Sequence, residues 1–373
     1  MRRVACVAGI CWCVCVGEAQ AAGLTLFVSP QGRDTWSGTL SAPNAAKTDG
    51  PLASMVGARD QLRRLRAAGR CPAGGATVEF QRGRYEQLAP CVFAAEDSGT
   101  AEAPVVYRAA KGAEVRVTGG VALWQMKPLA DTNVLLRLPA AARGRVLTLS
   151  LPAQGLTDYG VEPVGASAGQ ASGLQLIYGD QPMTLARWPN EGFVKIVDLP
   201  GGKEGNSFTY AEENPSRWAA ESDPRGQGYW AHDWAACAIA FEKIEPATKT
   251  ITQRLPGSNY GFRKGGFWFG YNLLCELDRP GEYFLDRLTG RLCFWPPEQA
   301  ANTRAEVSVG VRLVQLDGAS HIQFRGLTFE NCRGTAVSVS KGEGVVLAAC
   351  TLRNIGHKAV EIRDGKAHRI AGC

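Results

Sequence analysis

The sequence predicts an all-β chain built as a parallel β-helix, with a capping helix near its start and an inserted β-rich domain in its middle. Three observations carry this reading. A 23-residue repeat runs near the C-terminus, apolar side chains alternate within each copy, and 44 of the 373 residues are glycine. That glycine content, roughly 12% against an ordinary ~7%, multiplies turns and shortens the elements between them. Hydrophobic residues make up 45% and charged residues 20%, enough for a buried core. The net charge of +6 is spread over 41 basic and 35 acidic side chains without a dense basic run, so no nucleic-acid partner is expected.

Residues 1–21 read as a signal peptide. Arg2 and Arg3 precede the apolar run VACVAGICWCVCV, and Ala19-Gln20-Ala21 supplies a small-x-small cleavage site. The run is too short to cross a bilayer, and no later stretch is long enough, so no membrane span is expected. A secreted or periplasmic location follows. Of the 12 cysteines, Cys6, Cys11, Cys13 and Cys15 leave with the leader. Export permits disulfides. Cys71 with Cys91, and Cys275 with Cys293, are the first pairs to consider, since each flanks one turn-rich segment; the alternative is that cysteines here are small buried apolar residues.

Residues 22–120 read as the cap helix and the first coils. In LASMVGARDQLRRLR (52–66), Met55, Ala58, Leu62 and Leu65 form one helical stripe, with Arg59, Arg63, Arg64 and Arg66 largely off it. Such a helix can cover the open end of a solenoid. Short strands follow near 77–80, 91–94, 105–107 and 115–117, broken by GGA, RGRY, EDSG and TGG. Between about 121 and 310 the pattern gives way to a segment rich in tryptophan, proline and glycine, read as the inserted domain.

Residues 311–373 carry the repeat. HIQFRGLTFENCRGTAVSVSKGE (321–343) aligns with GVVLAACTLRNIGHKAVEIRDGK (344–366). Ile322 matches Val345, Phe324 matches Leu347, Phe329 matches Leu352, Val337 matches Val360 and Val339 matches Ile362. A third copy starts at Ala367. Three short alternating pieces per copy describe one turn of a β-helix. A leucine-rich repeat would fit the opening Phe324-x-x-Leu327-x-Phe329, but the later Val-x-Val strand falls where that repeat places a helix or turn. Asn331 and Asn354 share one repeat position at a turn, where stacked amides can bond to one another.

FVSPQGRDTWSGT (27–39), TDGPLASMVGARDQLRRLR (48–66) and EDSGTAEAPVVYRA (96–109) resemble the opening of exported bacterial right-handed parallel β-helix proteins of the pectate-lyase-like superfamily. LARWPNEG (185–192), GYWAHDWA (228–235) and ELDRPGEYFLDRLTGRLCFWPP (276–297) resemble the β domain inserted in a branch related to glycoside hydrolases. The resemblance implies a right-handed helix and a carbohydrate-active protein, glycoside-hydrolase-like and directed at a complex, plant-type polysaccharide or its oligosaccharides. It also implies catalytic carboxylates on later coils, beyond Cys373, so that the chain is expected to be truncated and inactive by itself. Cys293 departs from the aromatic residue that the pattern favours. A non-catalytic glycan-binding surface protein and a polysaccharide lyase are the alternatives.

Glycoside hydrolysis needs two carboxyl groups flanking the bond. The densest acidic cluster, Glu276, Asp278, Glu282 and Asp286, lies among turns and reads as structural: Pro280-Gly281 suits a type II turn, and Asp286 precedes the Thr289-Gly290 turn. On the coils, Glu330, Glu361 and Asp364 are expected on outward or turn positions. The candidate substrate-binding residues are Arg333, His357, Lys358, Glu361 and Trp188. The first four stand on neighbouring coils, and Trp188, like Trp230, Trp234, Trp268 and Trp295, offers a face for a pyranose ring. No nucleophile elbow, P-loop or dinucleotide fingerprint is present. No acidic cluster suits calcium, so neither metal nor cofactor is expected.

Overall fold

The computed structural model describes residues 23–71, 75–161, 172–298 and 303–373, and it is dominated by β-structure. The leader expected over 1–21 lies outside the described residues. Three parallel sheets form a stack that the chain visits in rotation. The first contains Leu24–Val28, Ala76–Phe80, Val105–Ala109, Ile322–Arg325, Val346–Ala348 and Arg369–Ala371. The second contains Gly83–Glu86, Val115–Thr118, Thr328–Cys332 and Thr351–Ile355. The third contains Cys91–Phe93, Val314–Asp317, Val337–Ser340 and Val360–Arg363.

The rotation explains the alternation in sequence. On each strand every second side chain points inward, and stacking aligns it with its counterpart on the next rung. Val337, Val339, Phe324, Leu347 and Phe329 all enter one core, shared with Val78, Phe80, Phe93, Tyr107 and Val117. Val337 pairs with Val360 and Phe329 with Leu352, the correspondences expected from the repeat. Asn331 and Asn354 stand at left-handed backbone positions, with φ of 55° and 54°. Asparagine tolerates these better than most residues, and the Asn354 side chain donates to Asn331 Oδ1 at 3.0 Å.

Helix α1 (Met55–Ala67) begins at Ser54, whose hydroxyl accepts from Gly57 N at 2.9 Å and so satisfies one open amide of the first turn. Met55, Ala58 and Leu62 join the stack core, beside Leu24–Val28 and Cys91–Phe93. Arg63 pairs with the buried Asp97 at 2.7 Å, so this arginine ties the helix down rather than facing water freely.

After Thr118 the chain leaves the second sheet, and it re-enters the third at Val314, the strand next due in the rotation. The excursion folds into three further sheets, mostly antiparallel. In the largest, Phe267–Tyr271 lies between Arg225–Tyr229 on one side and Arg187–Trp188 with Val194–Lys195 on the other. Its inner face packs Trp218, Trp230, Trp268, Phe208, Phe241 and Phe262. Gly226 and Gly270 make room for these rings: a Cβ at either would come within 2.5 Å of Phe241 or Trp218.

All eight cysteines of the described residues are free. The Cys71–Cys91 and Cys275–Cys293 pairs considered above are therefore absent. Cys91 points into the stack core, while Cys71 follows α1 at the surface. Cys275 packs against the tryptophan-rich core and Cys293 belongs to a separate cluster with Leu129 and Phe284, so the two thiols face different interiors. Burial pushes the Cys91 thiol up to about 12, as expected of an inert core residue. Among the described residues no helix is long and apolar enough to cross a membrane.

Candidate functional site

Two cavities that share one lining residue form a cleft running from the largest sheet of the excursion to its contact with the stack. One, of about 280 Å³, is lined by Ser172, Gln175, Leu174, Met183 and Tyr283 from the excursion and by Gly356 from a turn of the stack. The other, of about 250 Å³, is lined by Thr184, Arg187, Gln227, Phe269 and Tyr271. Leu185 lines both. Strand alternation builds the second wall: Phe267, Phe269 and Tyr271 face away from Trp268 and Gly270, and Gln227 lies opposite Phe269. Phe193 extends this wall, its ring 5.8 Å from Tyr229 and 5.7 Å from Phe269. Arg187 lies over Phe269 at 3.5 Å from the ring centroid. The cleft thus offers apolar ring surface alternating with amide, hydroxyl and guanidinium groups. That combination suits an elongated ligand with both C–H faces and hydroxyls.

The candidates named from sequence fall in different places. His357 follows Gly356 at the cleft's edge, with Nδ1 3.3 Å from Thr335 Oγ1 on the preceding rung. Lys358 and Arg363 both pair with Glu361, at 2.6 and 2.8 Å, and hold its carboxyl below the usual range. Arg333 is buried and pairs with Asp158, fastening the excursion to the stack. Trp188 packs against the tryptophan core, 6.0 Å from Trp218. Trp230 and Trp268 are core residues, and Arg145 lies over Trp295. Trp234 is exposed, stacked on His232 at 5.4 Å.

The carboxylates are mostly structural. Glu276 is buried and accepts from Trp218 Nε1 at 2.7 Å and from Arg217 at 2.8 Å; burial is the main influence on it and raises its pKa. Asp286 accepts from Leu288 N at 3.1 Å and from the Thr289 hydroxyl at 2.7 Å, as its turn position predicts. Glu330 corrects the sequence reading: it points out of the stack but is buried, because the excursion lies over it. It accepts from Arg84 at 3.0 Å, Arg116 at 2.7 Å and Arg353 at 2.9 Å. Arg84 also pairs with buried Glu306, which receives Asn331 Nδ2 at 2.7 Å and pairs with Arg304. Asp180 completes the network with Arg116 at 2.5 Å and Arg353 at 3.2 Å.

Glu282 is different. Its Oε2 accepts from Asp278 N at 3.0 Å, but Oε1 is buried without a hydrogen bond. Burial raises its pKa from the ordinary 4.5 to about 7. A folded-state value above the unfolded one means that the folded chain binds the extra proton. This contribution to stability is fully present below about pH 4.5 and is lost as pH rises through about 7. Glu282→Gln is expected to remove that decline, becoming more stable relative to the parent at pH 8 than at pH 5. Denaturation midpoints at the two pH values measure it, and parallel losses at both would contradict it.

No family model matches the sequence, and no curated protein matches it. Seven chains of known structure do. A glycoside hydrolase aligns with a TM-score of 0.67 at 17% identity, over 88% of this chain and 61% of its own. XylC, solved with xylose, aligns with a TM-score of 0.44 at 9% identity, over 93% of this chain and 54% of its own. At such identity the first likeness establishes a shared fold. The chain spans about three fifths of that glycoside hydrolase.

Proposed function

We propose that this is an exported, carbohydrate-active right-handed parallel β-helix protein of the pectate-lyase-like superfamily. On this reading α1 is the cap, the excursion is an inserted β-rich domain, and the cleft in that domain, which reaches the stack at Gly356, receives a plant-type polysaccharide. The leader-like residues 1–21 support export. The rotation through three parallel sheets supports the β-helix, and the glycoside hydrolase of shared fold supports the chemical class.

The single observation carrying the proposal is the composition of the cleft. Phe269 and the exposed Phe193 beside it supply ring surface, and Gln175, Gln227, Ser172 and Thr184 supply hydrogen-bonding groups. Polar groups set between aromatic faces match the alternating faces of pyranose rings. Hydrolysis requires two carboxyl groups beside the bond, and none of the described residues lining the cleft is Asp or Glu. On this reading these residues bind and orient the saccharide.

Calorimetric titration with plant-type oligosaccharides tests the reading. Binding is expected, and Phe193→Ala should weaken it roughly tenfold, the equivalent of one lost stacking contact. Phe193 is exposed, so its removal leaves the tryptophan core intact. Failure to bind any such oligosaccharide, or indifference to Phe193→Ala, overturns the assignment of the cleft.

A further inference from the structure

A second cavity system lies away from the cleft. It is an open groove of about 570 Å³, larger than either cavity of the cleft. A five-stranded sheet of the excursion separates the two. Thr184–Leu185, which lines the cleft, forms one edge of that sheet. Glu282–Asp286, Arg291–Phe294 and Leu147–Ser150 follow in order, and Lys127–Pro128 forms the other edge. Four strand spacings, about 19 Å, therefore lie between the cleft strand and the strand that borders the groove. Lys127–Pro128 pairs only with Leu147 and Thr148, so Leu149 and Ser150 run on along the groove wall.

Two glutamines shape this groove. Gln125 lines it from a left-handed backbone position, φ 57°, which residues with side chains seldom adopt and which is often retained at binding sites. Gln154, also in the lining, spends both amide groups on the backbone of Trp124: the Trp124 N donates to Oε1 at 3.3 Å, and Nε2 donates to the Trp124 O at 3.2 Å. This clamp fixes the main chain beside the groove and leaves the Trp124 side chain 65% exposed. The preceding Leu123 is the residue that packs inward, so the indole is held at the surface rather than used in the core.

The main charges of the lining offset each other, because Arg291 donates to Asp131 at 2.8 Å and holds that carboxyl below its ordinary range. Lys127 and the Ser150 hydroxyl, both exposed, remain available as hydrogen-bond donors. A ring face beside amide, hydroxyl and amine groups suits a ligand with C–H faces and many hydroxyls. An added peptide strand suits the groove less well. Only two residues of the edge extend past their neighbour, and Pro128 beside them offers no amide.

We propose that this groove is a second saccharide site, independent of the cleft, which takes an uncharged oligosaccharide with Trp124 stacked on one ring and Gln125, Lys127 and Ser150 bonded to its hydroxyls.

Calorimetric titration of the full chain with cellohexaose, xylohexaose and mannohexaose tests this. At least one of them is expected to bind at the groove, and Trp124→Ala should weaken that event roughly tenfold. The clamp holds backbone atoms only, so Trp124→Ala keeps it, and an unchanged denaturation midpoint checks that the fold is retained. Gln125→Asn, which tolerates the left-handed backbone while withdrawing the amide, should weaken binding a few-fold. The cleft and the groove can fail separately. With both occupied, two saccharides bind per chain, one event sensitive to Trp124→Ala and the other to Phe193→Ala. A single event sensitive only to Trp124→Ala supports the groove and overturns the cleft. A single event sensitive only to Phe193→Ala overturns the groove and leaves the cleft standing. Binding of none of the three, or tighter groove binding of an oligogalacturonate or of an extended peptide, also overturns the groove proposal.

Discussion

Replacing Glu330 by alanine is expected to lower folding stability by about 3–5 kcal/mol, the usual penalty for removing one partner of a buried ion pair. The carboxylate is wholly buried, and three guanidinium groups converge on it. Arg84 and Arg116 pair in register on adjacent rungs, and Arg353 follows on the far side of Glu330. Without the carboxylate, three like charges stack with Glu306, Asp180 and the exposed Glu114 at their edges. Glu330→Gln keeps the shape but still removes the charge, so it should fall between the parent and alanine. Urea denaturation gives the comparison. A loss below about 1 kcal/mol for Glu330→Ala would show that the network relaxes into solvent and does not hold the excursion against the stack.

Phe324→Ala should cost a similar amount, about 3–5 kcal/mol, by a different route. Phe324 lies at the centre of the stack core, with ring centroids 5.5 Å from Tyr107, 5.9 Å from Phe93 and 6.0 Å from Phe329. These neighbours belong to all three sheets, and each is fixed by parallel pairing above or below. They cannot collapse into the space without breaking register, so a cavity remains. Phe324→Leu should recover much of the loss because it restores volume. Equal losses for alanine and leucine would instead point to the ring contacts themselves.

Periodicity made the stack legible. A repeat that places like residues at one offset also places them one above another, so Phe329 over Leu352 and Asn331 over Asn354 could be read before any geometry was known. The helix was equally legible, because its apolar stripe is local. Glu330 was not: its position on the strand says that it points away from the core, but not that residues far along the chain will cover it. Arg187 was hidden by its neighbour. Trp188 drew attention as a ring, yet alternation sends the tryptophan inward and the arginine outward. The signal lay in Phe267-Trp268-Phe269-Gly270-Tyr271, where both faces of the strand are aromatic. Gly226 and Gly270 mark the face crowded by tryptophan, and so identify the opposite face as the open one.

The point of departure from the stack bears on the order in which the molecule assembles. Thr118 pairs with Glu330, and Gly119 O accepts from both Val309 N and Gly310 N, so the excursion begins and ends at one place. Roughly two hundred residues separate these partners along the chain, which makes their meeting a slow, non-local event. A polypeptide emerging from the ribosome presents its early rungs first. Val105–Ala109 and Val115–Thr118 must then wait, with one row of amides and carbonyls unpaired, until the later rungs have been synthesised. During that interval the nascent chain's greatest hazard is another copy of itself adding a strand to the waiting edge.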